Sequence, residues 1–97
     1  MATIITISRA GGSVTFSPSP VTIPVNSSVV FANADPQSQH LPTLAGKGEN
    51  FWFTHPLAPA FPGRPNDTSD EVFFGTAGQV HYVCALHSGE EGFITIQ

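Results

Sequence analysis

Alternation of apolar and polar residues, repeated in short runs, dominates this chain. TIITIS (3–8) is rich in β-branched residues, which favour strands. Gly11 and Gly12 mark a turn, and SVTFS (13–17) alternates until Pro18 and Pro20 end it. VTIPV (21–25) alternates again, with Val21, Ile23 and Val25 on one face. Pro24 has no amide donor, so this segment belongs at the edge or end of a sheet. NSS (26–28) reads as a turn and SVVFAN (28–33) as the next strand. A polar loop, ADPQSQH (34–40), leads into a short strand over 41–44. From Ala45 to Thr68 no period is visible, and proline, glycine and an FWF cluster break the pattern. A stretch of this length in a small domain carries a function or packs as an ordered lobe. SDEVFF (69–74), QVHYVC (79–84) and GFITIQ (92–97) resume as strands, with GTAG as a turn between the first two. The pattern predicts an all-β Greek-key sandwich or barrel of seven to eight short strands, with antiparallel neighbours.

Composition narrows the class. The 97 residues suit one domain, spanning 1–97, with one modest core. Apolar residues make up 40% and charged residues 10%, which argues against disorder. The net charge is −4, and Arg9, Lys47 and Arg64 are the only certain cations. Without a basic stripe, nucleic acid and anionic membrane are poor partners. No apolar run reaches the length of a membrane span, roughly 18–20 residues. The start, MATIITIS, lacks the pattern of a signal peptide. The expectation is either a cytosolic chain or one that starts at a mature terminus behind an added Met. Asn66-Asp67-Thr68 matches a glycosylation triplet, a pattern that arises often by chance.

The single cysteine, Cys84, ends a predicted strand, and His87 follows three residues later. A lone cysteine is most often an inert core residue. A thiolate and an imidazole at this spacing can instead turn toward one metal, copper or zinc. His40 strengthens that reading. It ends the loop after SVVFAN, and loops at one end of a Greek-key sandwich cluster in space. Two His and one Cys in a plane with a weak axial donor are the ligands of blue-copper electron transfer.

At these residues the sequence resembles the cupredoxins, small copper proteins of the plastocyanin and amicyanin type. FSPSPVTIPVNSSVVFANADPQSQH resembles their N-terminal half, which ends in the first copper histidine. GTAGQVHYVCALHSGEEGFITI resembles their C-terminal signature: a Gly-bearing turn, an aromatic two before the Cys, C-x-x-H, and a β-branched last strand. The resemblance covers roughly residues 14–44 and 69–97. It implies that His40, Cys84 and His87 are equatorial ligands of one copper ion, and that His87 passes electrons within an apolar docking patch. Leu41, Pro42 and Leu86 are candidates for that patch. It further implies a monomeric electron carrier, periplasmic or extracellular, with a redox partner such as a cytochrome or a copper oxidoreductase. Asp67, Asp70 and Glu71 either steer a cationic partner or form an ordinary solvated turn.

The pattern departs from the family in its details. Where the short-loop members have an axial Met, three residues after the second His, this chain has Glu90. The polar pair often found after the first His and after the Cys is replaced by Leu41 and Ala85. Glu90 has three readings: an axial oxygen donor, a solvated loop carboxylate, or the mark of a site that has lost copper. As a ligand, a hard anionic oxygen favours Cu(II), giving a lower potential and a green or red tint. Glu91 is expected to face solvent. His81 lies on the opposite face of its strand from Cys84. His55 is either a loop residue or a neighbour of the site. Two other functions compete with electron transfer: copper delivery, and catalysis at an open copper site. A cysteine-nucleophile hydrolase is the weakest option, since no orienting Asp or Asn stands beside a base.

Overall fold

A computed structural model describes residues 2–44, 56–87 and 89–97. His55 and the Phe51–Trp52–Phe53 cluster lie outside the described residues. Among the described residues there are nine strands: β1 (Ala2–Ala10), β2 (Ser13–Ser17), β3 (Val21–Ile23), β4 (Ser27–Asn33), β5 (Pro42–Leu44), β6 (Asp67–Thr68), β7 (Val72–Phe74), β8 (Gly78–Cys84) and β9 (Glu91–Ile96). The sequence predicts seven to eight. The extra one, β6, is two residues long and too short to show a period.

Two sheets face each other. One runs β2-β1-β4-β6, with β7 also paired to β4, and the other runs β3-β9-β8-β5. The sandwich is all-β, as predicted, but it is not wholly antiparallel. β1 pairs parallel with β4, and β3 pairs parallel with β9. Parallel neighbours need a long crossover, and β2 with β3 provides the one between β1 and β4. β3 is an edge strand that stops at Ile23, before Pro24. Val25, predicted to share the face of Val21 and Ile23, lies beyond the strand end and is exposed. Asn26 takes the left-handed conformation, φ 69°, in the turn that follows. Asparagine tolerates that region better than most residues. Among the described residues no helix is long and apolar enough to cross a membrane.

The inward faces follow the period of two. Ile5 and Ile7 of β1, Phe16 of β2, Val29 and Phe31 of β4 come from one sheet. Ile23, Tyr82, Cys84, Ile94 and Ile96 come from the other. Phe16, Phe31 and Tyr82 meet edge to face at the centre, with centroids 5.0–6.4 Å apart. Such pairs add about 0.5–1.5 kcal/mol each beyond their buried area. Gly92 stands opposite Tyr82 in the β8–β9 register. A Cβ there would overlap the end of the Tyr82 phenol ring and crowd the Ser19 hydroxyl, so glycine leaves the room that the phenol occupies.

The same period carries polar residues onto the inner face at one end. Arg9 is in phase with Ile5 and Ile7, and Asn33 is in phase with Val29 and Phe31. Cys84 is in phase with Tyr82. This end of the sandwich holds the chemistry.

Candidate metal centre

Cys84 points inward from the last position of β8 and is buried. His40 precedes β5, and its backbone is fixed on both sides by Leu57. The His40 amide donates to the Leu57 carbonyl at 3.2 Å, and the Leu57 amide donates to the His40 carbonyl at 2.8 Å. The Ala85 amide donates to the Leu41 carbonyl at 2.8 Å, and Pro42 pairs with Cys84 across β5–β8. The segments that carry His40 and Cys84 are therefore stitched by backbone. That answers the loss of the polar pair at Leu41 and Ala85. His87 and Glu90 sit in the loop from 85 to 90. The Cys84 amide closes it by donating to the Glu90 carbonyl at 3.0 Å. Gly89 supplies the left-handed residue the turn needs, φ 88°.

Four donor atoms converge, one each from His40, Cys84, His87 and Glu90, all within 4.8 Å of one another. The Cys84 Sγ lies 3.8 Å from His40 Nδ1 and 3.5 Å from His87 Nδ1. Glu90 Oε1 lies 3.0 Å from His40 Nδ1 and 3.5 Å from His87 Nδ1. Donors bound at 2.0–2.3 Å around one tetrahedral ion are about 3.3–3.6 Å apart. The observed separations bracket that range, so this donor set fits a single transition-metal ion. Soft sulfur with two imidazoles suits copper or zinc, and the carboxylate adds a hard donor.

Burial grades across the cluster. His40 is fully buried, Cys84 is buried, the Glu90 side chain is 15% exposed, and the His87 side chain is 37% exposed. Burial pushes the Cys84 thiol up. Backbone hydrogen bonds to the sulfur from Leu41, Leu86 and His87 offset part of this, while the nearby Glu90 charge adds to it. The thiol is thus held protonated until something replaces the proton.

A second layer lies behind His40. Its Nε2 faces Asp35 Oδ2 at 2.7 Å. Asp35 is fully buried and accepts two hydrogen bonds from Arg9, from Nε to Oδ1 and from Nη2 to Oδ2, each 2.9 Å. Burial pushes the Asp35 carboxyl up. The hydrogen bonds from Arg9, His40 and the Gln37 amide outweigh it and hold the carboxyl well below the usual carboxylate range. Asn33 braces the loop. Its Oδ1 accepts the Asp35 amide at 2.9 Å, and its Nδ2 reaches the carbonyls of Ser38, Leu57 and Ala58 at 3.0–3.1 Å. Sequence reading missed Arg9, Asn33 and Asp35. A signal for two of them was present, since Arg9 and Asn33 fall in phase with core residues of β1 and β4, where a charge or an amide needs a buried partner.

The other predicted residues separate cleanly. His81 faces away from Cys84, stacks on Phe93 at 4.5 Å and pairs with Glu91 at 2.8 Å. Glu91 is exposed, one residue from the cluster and outside it. Leu86 is exposed and Leu41 half-buried, but Pro42 is fully buried and does not belong to a docking surface. In the acidic group, Asp67 accepts the Ala58 amide and Glu71 accepts the Ser28 hydroxyl, while Asp70 is exposed.

The two-sheet sandwich matches the fold of solved cupredoxin structures. By sequence, no family model and no curated protein matches the chain. Solved structures do. Plastocyanin from Dryopteris crassirhizoma is similar with a TM-score of 0.70 at 16% identity, covering 98% of this chain and 100% of that one. A purple cupredoxin from Nitrosopumilus maritimus matches with a TM-score of 0.69 at 22% identity, covering 97% and 98%. Amicyanin from Paracoccus versutus matches with a TM-score of 0.66 at 14% identity, covering 97% and 81%.

Proposed function

We propose that this chain is a small copper protein that carries single electrons, with His40, Cys84, His87 and Glu90 as its metal ligands. One observation carries the reading: the four donors converge at one end of a cupredoxin fold. When bound, copper would supply the one-electron couple. The residues supply the rest. Cys84 gives a soft thiolate, and its raised thiol pKa means that metal binding must release a proton, so affinity rises with pH. His40 and His87 each present Nδ1. Glu90 would add a hard carboxylate oxygen, Oε1, to the donor set. The backbone bonds around His40 and Cys84 hold their donors in place, which keeps reorganisation small when the charge changes.

His87 is the electron port. Its ring is the most exposed of the four ligands; exposed Leu86 precedes it in the chain, and half-buried Leu41 follows His40. A redox protein with a complementary apolar face is the expected partner. The neighbour described as a purple cupredoxin supports an expectation that colour in this fold departs from deep blue. The deciding measurement is the visible spectrum of the copper-loaded protein beside its Cys84→Ser variant. The wild type should show a thiolate-to-copper band that the variant lacks, and a wild type without the band defeats the proposal.

A further inference from the structure

We propose that Arg9 and Asp35 are positioning residues for the metal centre, a half-buried guanidinium on a fully buried carboxylate that holds the hydrogen of His40 on Nε2 and sets how strongly its Nδ1 donates. The inference rests on the reading of His40 as a ligand. His40 is fully buried and both ring nitrogens are committed. Nε2 is 2.7 Å from Asp35 Oδ2, and Nδ1 faces Cys84 and Glu90. A carboxylate accepts and does not donate, so Nε2 carries its hydrogen toward Asp35. Nδ1 faces a second carboxylate, Glu90, at 3.0 Å, and it becomes a donor once a metal ion held with Glu90 replaces any proton between them. Asp35 cannot swing away, because Arg9 grips both of its oxygens and the Gln37 amide donates to Oδ1. Arg9 also donates to the Ser38 hydroxyl at 3.2 Å, tying the strand to the His40 loop.

This pair is poorly explained as fold glue alone. A buried ion pair is often no better for stability than apolar residues of the same volume. Its placement one hydrogen bond from the other ring nitrogen of His40, across the imidazole from Nδ1, is what distinguishes it. Carboxylates behind ligating histidines raise ligand basicity, and their loss costs about 10–100-fold in metal affinity. Arg9 then acts as a governor. Its positive charge, shared with the same Asp35 oxygen that His40 meets, limits how much electron density the carboxylate pushes into the imidazole.

The two charges predict opposite effects, which loosening alone does not. In Asp35→Asn the push weakens, and the preference for Cu(II) over Cu(I) should fall about tenfold, raising the potential by about 59 mV. In Arg9→Gln the carboxylate is uncompensated, and the potential should fall. Arg9→Lys should lie nearer the wild type and guards against a Gln variant that folds badly. Redox titration of the copper-loaded proteins reads these shifts. Shifts of the same sign in the Asp and Arg variants, or none, overturn the inference. A separate readout needs no copper. Nitrogen-15 NMR of the metal-free protein should show a slowly exchanging His40 Nε2 proton that Asp35→Asn exposes to faster exchange, and a wild type without that proton also overturns it. A wild type that shows this proton but no thiolate-to-copper band would defeat the copper reading while leaving the Asp35–His40 bond established.

Discussion

Glu90→Gln is the substitution that bears most directly on the centre, because it keeps the shape of the side chain and removes one charge. Glu90 Oε1 is 3.0 Å from His40 Nδ1 and 3.5 Å from His87 Nδ1. An ion held by both nitrogens at 2.0–2.1 Å therefore lies within about 4 Å of the carboxylate. Cu(II) and Cu(I) differ by one charge. At an effective dielectric constant of 20, one charge at 4 Å is worth about 4 kcal/mol. The Glu90 side chain is 15% exposed, and solvent screening of that order reduces the figure to about 2–4 kcal/mol. At about 1.4 kcal/mol and 59 mV per tenfold change, Glu90→Gln should raise the potential by about 90–170 mV. Glu90→Met should move it in the same direction and shift the colour toward blue, since a thioether competes less with the thiolate. Voltammetry, with visible absorption recorded on the same samples, tests both. An unchanged potential with an unchanged spectrum would remove Glu90 from the ligand set and leave it a solvated loop carboxylate.

Other outcomes follow from the packing and the charges. Gly92→Ala should lower the free energy of unfolding by about 2–3 kcal/mol, because the Tyr82 ring cannot yield between Phe16 and Phe31; a urea midpoint equal to that of the wild type would contradict the close approach. Asp35 has a depressed folded pKa, so between that value and its ordinary 3.8 the unfolded chain binds more protons. Its contribution to stability should be complete above about pH 5 and decline as acid is added, and Asp35→Asn should flatten that decline in denaturant titrations of the metal-free protein. His81→Ala should leave the copper spectrum unaltered and change stability by less than about 1 kcal/mol, since the lost pair with Glu91 is exposed; an altered spectrum would mean that the opposite face of β8 communicates with the site.

Much of the sandwich is legible from local pattern, and the reasons differ by strand. Alternation in SVTFS marks β2 without help from the rest of the chain, and Pro24 marks both the end and the edge position of β3. Those signals are local because pleat and donor loss are local. The parallel pairing of β1 with β4 is not legible, since no residue in either strand specifies its neighbour's direction. β6 escapes for another reason. It is two residues that pair with Ala32 and Asn33, and its strand character is imposed by β4. The donor cluster is half legible. Spacing and loop placement make His40, Cys84 and His87 candidates and the resemblance to cupredoxins singles them out as a set, whereas Asp35 lies in a loop whose composition predicts solvent. What buries it is Arg9, 26 residues away in sequence.

That difference describes how the site is built. Its stiff side is the pair His40 and Cys84. Sheet pairing between β5 and β8, the Leu57 bridge and the Asn33 bracing all act on these two, and Arg9 with Asp35 closes the back of the His40 ring. Leu41 and Ala85 can replace a polar pair there because backbone hydrogen bonds already join the two segments. Its adjustable side is the loop of His87 and Glu90, which leaves the sheet at Cys84 and returns at Glu91. A substitution in that loop alters a donor or its exposure without disturbing the core. A substitution behind His40 must instead disturb a buried network that spans β1, β4 and the 34–40 loop. On the proposed ligand set, variation at Glu90 is therefore the cheaper route to a different potential, since it leaves the core and the network behind His40 intact.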